Sequence, residues 1–252
     1  MNISICCPSF RRPKVETLNR YPDVKVYIDE TEADNYIAAN PNANIVPVAS
    51  EHQGNLCRIR NYILDTEFDQ GFDVVLIVDD DIEGIYRWNR KGTFGYDRTM
   101  VTMDGLVDLV AHGSMLCSEW GYKFWGIGLS RNKLICRHSQ PFSTTQYIGG
   151  PFQCHLRNDI RYDERLPLKE DYDITMQHLL RNGGALRMNM YHCEVKRATN
   201  TGGCSQYRNT KREQEQMELL QRKWGKDVFK YDNSSVRSHD FNPRMRSPIR
   251  GV

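Results

Sequence analysis

Apolar residues fall along this chain in two rhythms, and the switches between them mark the elements. Val74-Val75-Leu76-Ile77-Val78 is an unbroken, mostly β-branched run, as expected of a strand buried on both faces inside a parallel sheet. Asn2 to Cys7, Val24 to Ile28 and Ile45 to Val48 read as further strands, the first broken by Pro8 and Pro13. Leu56, Ile59 and Ile63 instead recur at helical spacing behind Asn55, a good N-cap, and this helix leads into the central strand after Gly71. Leu106, Leu109, Val110, Gly113 and Cys117 predict a second helix, and Tyr122 to Cys154 is strand-rich, KLICRH (133–138) included. Asp173 then caps a helix carrying Ile174, Leu179 and Leu180, which Gly183-Gly184 stops before a strand from Ala185 to Met190. Thr210 and Glu213 form a capping box for a last helix with Met217, Leu220 and Trp224, ended by Gly225. Trp88 to Tyr96, with glycines at 92 and 95, reads as a loop able to close over a substrate. From Tyr231 the chain is polar and holds Arg and Pro, a tail that orders on binding.

Strands alternating with helices predict an α/β fold with a mostly parallel central sheet flanked by helices. At 252 residues, with 39% hydrophobic and 26% charged, the chain has the composition of a soluble globular protein. No apolar run approaches the roughly 20 residues that span a bilayer, and no secretory signal follows Met1, so a cytoplasmic protein without membrane contact is expected. The eight cysteines lack zinc-type CxxC spacing and read as free, mostly buried thiols, with Cys6 and Cys7 on opposite faces of one strand. Net charge is only +2, but residues 181–252 hold 15 Lys and Arg against 7 Asp and Glu. That basic third fits a polyanionic partner, or simply a solvated face.

Chemistry concentrates behind the apolar run, where Asp79-Asp80-Asp81 follows at once. Three carboxylates at the end of a buried strand repel one another, and a divalent cation relieves that repulsion. In a strand, Asp79 and Asp81 share a face and Asp80 points away, so Asp79 and Asp81 are the expected ligands. A solvated acidic turn is the alternative, disfavoured because carboxyl ends of parallel strands are where open α/β sheets bind ligands. Arg11 and Arg12 in the loop after the first strand can grip a diphosphate. Asp29, at the end of the second strand, can accept from a ribose or base, or belong to an ordinary acidic turn. Arg58 and Arg60 cannot share one helix face, so one faces a nucleotide and the other solvent. Gly149-Gly150-Pro151-Phe152 marks a close backbone approach or a turn. Glu170 and Asp171, just ahead of the third helix, can serve as a general base or as plain capping groups. His192, at a strand end, is placed to complete a metal shell or to be structural.

In this order the segments resemble the GT-A class of nucleotide-sugar glycosyltransferases over roughly residues 2–200. PSFRR looks like the first nucleotide-binding segment, VVLIVDDDI like the DxD motif, KEDYD like the acceptor-side acidic motif and YHC like the later metal-binding histidine. The combination of VDDDI, GGPF, KEDYD and a TGGC loop is similar to the TET/JBP-associated glycosyltransferases of bacteriophages. That resemblance implies a single GT-A-like, Rossmann-like domain over 1–230, its nucleotide-binding part at about 1–100 and its acceptor part at about 101–230, before a basic tail at 231–252. It implies a metal, manganese or magnesium, on Asp79, Asp81 and His192. A nucleotide-sugar donor, a UDP-sugar, would be held by Arg11, Asp29, Arg58, Asp79 and Asp80. Asp171 or Glu170 would take the acceptor proton in an inverting transfer, with Asp173 as a competing base. The implied acceptor is 5-hydroxymethylpyrimidine in double-stranded DNA, with protein or glycan hydroxyls as alternatives. Two other functions stay open at this point. A nucleotidyltransferase shares the sheet and metal but commonly carries a glycine-rich loop after strand one, which Pro8 to Arg12 lacks. A non-catalytic nucleic-acid-binding module would leave the acidic cluster unexplained.

Overall fold

In the computed structural model, which describes residues 1–92, 95–129, 140–196, 203, 208–232 and 243–251, the chain opens with the strands its apolar runs predict. β1 (Ile3–Pro8) and β2 (Lys25–Asp29) are followed by helix α1 (Ala33–Ala39) and β3 (Asn44–Val48), then by α2 (Leu56–Asp69) and β4 (Val74–Val78). The four strands lie parallel in the order β3-β2-β1-β4. Every residue of β4 is buried, and Asn55 caps α2 by accepting from the Cys57 and Arg58 N–H groups.

Past β4 the sheet becomes mixed. β5 (Ile82–Lys91) and β6 (Gly95–Met100) pair antiparallel, so the segment expected to be a loop over 88–96 is a hairpin, with residues 93–94 outside those described. Ile82, Ile85 and Trp88 are buried while Arg87, Arg90 and Lys91 are exposed, an uneven alternation that hides the strand in the sequence. Helix α3 (Met103–Glu119) leads to β7 (Phe124–Gly128), β8 (Phe142–Ser143) and β9 (Phe152–Leu156); the strand expected at 133–138 lies outside the described residues. After α4 (Glu170–Asn182), β10 (Leu186–Val195) runs parallel to β7 and antiparallel to β5. β9 lies antiparallel to both β4 and β7 and joins the two halves of a ten-stranded sheet ordered β3-β2-β1-β4-β9-β7-β10-β5-β6, with β8 on β10.

Two cores cover the two faces. One gathers Cys7, Tyr36 of α1 and Leu106, Leu109 and Val110 of α3; the other gathers Cys6, the apolar stripes of α2 and α4, and Met217 and Leu220 of α5 (Thr210–Trp224). Cys6 and Cys7 therefore do point to opposite faces.

Three local expectations are corrected. Helix α4 starts at Glu170, so Asp173 lies inside its first turn rather than capping it. The Asp173 carboxylate is fully buried, accepts from Gln177 Nε2 and Trp224 Nε1 at 2.8 Å each, and pairs with Lys223 at 2.7 Å, docking α5 onto α4. Helix α5 is capped by Asn209, which accepts from Arg212 N–H, while Glu213 is buried in ion pairs with Lys169 and Arg208. Finally, β11 (Phe229–Tyr231) pairs with β12 (Pro243–Met245), and Met245 and Ile249 pack on the second core, so residues 243–251 lie on the body of the protein.

Candidate active site

The acidic cluster is the turn between β4 and β5, and its backbone is fastened on three sides. Thr17 Oγ1 donates to the Asp79 carbonyl at 2.6 Å and accepts from Ile82 N–H at 3.0 Å, while Thr17 N–H donates to the Asp80 carbonyl at 3.2 Å. Asp79 N–H donates to Pro151 O at 3.3 Å, and Lys196 N–H to Asp81 O at 2.9 Å. Held in a turn, the three carboxylates do not alternate as they would in a strand. Asp79 Oδ1 accepts from Arg60 Nη2 at 2.9 Å. Asp80 is buried, accepts from Ser9 Oγ at 2.7 Å and pairs with Arg12, whose Nη1 also stands 3.5 Å from Asp81 Oδ2. Burial pushes the Asp80 carboxyl above its ordinary range, with Arg12 and Ser9 opposing.

Across the cavity lies the first turn of α4. Glu170 is buried, 3.2 Å from Arg60 Nη1, and its pKa is raised to about 8 by burial and by the neighbouring Asp171 charge, against the pull of Arg60. Asp171 accepts through Oδ2 from the Tyr147 hydroxyl and, at 3.3 Å, from Gly150 N–H. The glycine pair leads into a turn at Gly150-Pro151, where a Cβ on Gly150 would stand in ordinary contact, 3.4 Å from Glu170 Oε1 and 3.5 Å from Arg60. Arg60 is the floor between the two walls. Its guanidinium donates to Asp79, to Glu170, to Gln153 Oε1 at 3.0 Å and to Gly150 O at 3.1 Å. Burial alone would lower its pKa, but Tyr162, Asp79 and Glu170 outweigh burial and raise it.

Asp79, Asp80, Asp81, Glu170 and Asp171 thus all line one cavity of about 490 Å³, the size of a small-ligand site. The other expected residues do not line it. In each arginine pair the neighbour does, Arg12 in place of Arg11 and Arg60 in place of Arg58. Arg11, at φ +53°, donates its backbone N–H to Glu32 and lays its guanidinium over Phe10. Arg58 pairs with Glu164 at 3.0 Å and donates to Glu51 O. Asp29 accepts from the Thr31 N–H and hydroxyl and from Ser50 Oγ; burial pushes its pKa up, and these bonds overcome that and lower it. His192 lies within β10 rather than at its end. It is stacked on Tyr86 and Trp88 at 5.4 and 5.1 Å, with Nε2 3.2 Å from Glu194 Oε1. Its neighbour Cys193, like Cys7, feels the acidic turn: burial and then the charges of Asp79 and Asp81 raise its thiol pKa.

Sequence reasoning missed Ser9, Gln53, Lys196 and Arg208 on the cavity wall. Gln53 is buried, and its Nε2 has no hydrogen-bond partner among the described residues. A buried amide donor facing a cavity fits a ligand acceptor. Gly203 also lines the cavity, its N–H donating to Phe10 O at 2.9 Å, while the rest of the 197–207 loop lies outside the described residues. Asp79 and Asp81 offer hard oxygens suited to a divalent cation. Among the described residues no three His, Cys, Asp or Glu side chains converge to hold an ion alone, so a ligand's phosphates would complete the shell.

Comparison with known proteins bears on the fold and the family. Glucosyl-3-phosphoglycerate synthase from Mycobacterium tuberculosis, in complex with Mn2+, UDP and glucosyl-3-phosphoglycerate, superposes with a TM-score of 0.51 at 12% identity, over 98% of this chain and 87% of that one. The same enzyme with Mn2+, UDP-glucose and phosphoglyceric acid gives 0.50 at 13% identity, over 98% and 88%. At such identity the likeness speaks for the fold, which is GT-A. No curated protein matches the chain in sequence. Residues 21–203 match the TET-Associated Glycosyltransferase family, most of the chain including the acidic turn and the α4 carboxylates. The chain belongs to that family and is a glycosyltransferase of the GT-A class.

Proposed function

We propose that the protein transfers a sugar from a UDP-sugar to a hydroxyl with inversion, using manganese or magnesium, and that the acceptor is 5-hydroxymethylpyrimidine in double-stranded DNA. The observation that carries this reading is the Arg60 crossbar, which brings Asp79 and Glu170 within one guanidinium's span and so sets the acidic turn and the α4 carboxylates on one cavity. Asp79 and Asp81 would hold the cation, which supplies positive charge against the negative charge growing on the departing diphosphate. Arg12, Lys196 and Arg208 add fixed cations to the same cavity, and Gln53 offers its free amide to the nucleotide. The nucleotide-binding part at about 1–100 supplies the turn, and the acceptor part at about 101–230 supplies α4.

Asp171 is the base in this reading. Tyr147 and Gly150 N–H fix its Oδ2, and burial beside it raises the Glu170 pKa to about 8, so Glu170 holds its proton more tightly than an ordinary glutamate. As the acceptor oxygen bonds to the anomeric carbon and the bond to diphosphate breaks, the hydroxyl proton passes to Asp171. DNA as acceptor is supported by the family's association and by the basic C-terminal third.

The test is transfer, followed by mass spectrometry, from UDP-sugars to a duplex containing 5-hydroxymethylcytosine with manganese present. Asp81→Asn should abolish transfer with an unchanged melting point, and Asp171→Asn should slow it roughly 100-fold or more. Undiminished transfer by Asp81→Asn in chelator would refute the metal reading. Transfer only to free sugars or protein would refute the DNA acceptor.

A further inference from the structure

A second, smaller cavity of about 270 Å³ lies behind the α4 wall, and among the described residues its one charged wall residue is Arg187 of β10. Nε of Arg187 donates to Asn189 Oδ1 at 2.9 Å. Asn189 is itself held by donating Nδ2 to Gln140 O at 3.0 Å and to Ser143 Oγ at 2.8 Å, which aims its carbonyl at the guanidinium. That satisfies one of five donors. Among the described residues, no acceptor bonds the terminal nitrogens and no carboxylate pairs with them.

The contrast with Arg60 is informative. Both guanidiniums are withdrawn from water, but anions raise the Arg60 pKa, whereas for Arg187 burial is the only influence and lowers it. A partly desolvated cation without an anion is costly unless a ligand supplies one. The rest of the lining matches that need. Thr145 and Gln146 bring a hydroxyl and an amide, and among the described residues neither side chain forms a hydrogen bond and no carboxylate lines the space. Tyr147 and Tyr172, stacked at 4.2 Å, form its flat wall. Tyr147 is shared, since its hydroxyl is the one bonded to Asp171 on the far side.

We propose that the Arg187 cavity is an anion site that takes a phosphate group, and that on the proposed acceptor this group is a backbone phosphodiester near the modified base. The planar guanidinium can bind two phosphate oxygens at once, with Thr145 and Gln146 donating to the others. The site sits one tyrosine away from Asp171, so a strand anchored there lies on the acceptor side of the wall. The DNA assignment rests on the function proposed above; the anion site does not.

The experiment measures binding of a fluorescent duplex at several salt concentrations for the wild type, Arg187→Gln and Arg187→Lys, with Asp81→Asn as control, and titrates the same proteins with inorganic phosphate. Removing one phosphate contact should weaken duplex binding about tenfold and reduce the slope of log K against log salt by about one. Arg187→Lys should keep the slope and recover part of the affinity, and Asp81→Asn, which lacks transfer, should keep the wild-type salt slope of duplex binding. If duplex binding is indifferent to Arg187 but inorganic phosphate binding is lost in Arg187→Gln, the anion site stands and its ligand is a free phosphate or monoester. If neither probe responds to either variant while their melting points match the wild type, the proposal is overturned. Undiminished transfer by Asp81→Asn with Arg187-dependent duplex binding would sink the proposed function alone, and loss of transfer in Asp81→Asn with duplex binding indifferent to Arg187 would sink the DNA assignment of this site alone.

Discussion

The two ends of the main cavity set the same residue types in different surroundings. At the β4–β5 turn, Asp79 and Asp80 each have an arginine, Arg60 and Arg12, and Ser9 adds a donor to Asp80. At the start of α4, Glu170 takes the far arm of Arg60 and Asp171 takes a hydroxyl and an N–H, and Glu170 is driven to about 8. Burial raises both Asp80 and Glu170, but at Asp80 the Arg12 and Ser9 partners oppose that rise, whereas at Glu170 the neighbouring Asp171 charge adds to it. Environment, more than residue identity, divides acids from bases in such a site.

The sharpest way to break that contrast is to remove the group common to both ends. Arg60→Met would leave Asp79 and Glu170 without their cation and Gln153 Oε1 and Gly150 O without this donor. Losing one partner of a buried ion network costs about 3–5 kcal/mol, so the melting point should fall by about 10 °C or more, with transfer lost. Arg60→Lys should recover little, because an ammonium cannot fork to both walls. A melting point within 2 °C of wild type, on the same scale, would show that the walls do not depend on this residue.

A smaller effect isolates the proton-holding end. Glu170 has a folded pKa of about 8 against an ordinary 4.5, so its contribution to stability is fully present below pH 4.5 and is lost as pH rises towards 8. Glu170→Gln is neutral throughout and lacks that loss. Melting curves across this window should therefore diverge in the variant's favour as pH rises, and parallel curves would place the Glu170 proton elsewhere. The smallest effect should come from Arg58→Ala, outside both ends. Its pair with Glu164 is 41% and 44% exposed, so stability should change by at most about 1 kcal/mol and transfer hardly at all. A large loss of donor affinity in Arg58→Ala would return that arginine to the nucleotide site.

The parallel half of the fold was legible because β4 is a pure apolar run and α2 carries its stripe behind a clear cap. The acidic turn was legible for the same reason, since charge directly after a doubly buried strand has few places to go. Which arginine faces the cavity was only half legible. Arg60 falls four residues after Leu56 and three before Ile63, in phase with the apolar stripe, whereas Arg58 is out of phase, so helix geometry alone could have chosen between them. Nothing comparable separates Arg11 from Arg12, which depends on the left-handed backbone at Arg11. His192 was placed at a strand end because the apolar pattern fades after Met190, while pairing with β5 carries β10 on to Val195. Asp173 illustrates a deeper ambiguity. An acid near a helix start suits a cap and a buried ion pair equally, and only the tertiary partners Lys223 and Trp224 decide.

The cysteines give the molecule a built-in gauge of its own opening. Six described thiols are buried and unbridged, Cys6 and Cys57 in one core and Cys7, Cys117, Cys154 and Cys193 in the other. Alkylation needs an exposed thiolate, so each reacts only as fast as its surroundings part. Quantifying modified peptides over time would report which face of the sheet loosens first, and whether a bound nucleotide sugar slows one face more than the other, with no label introduced.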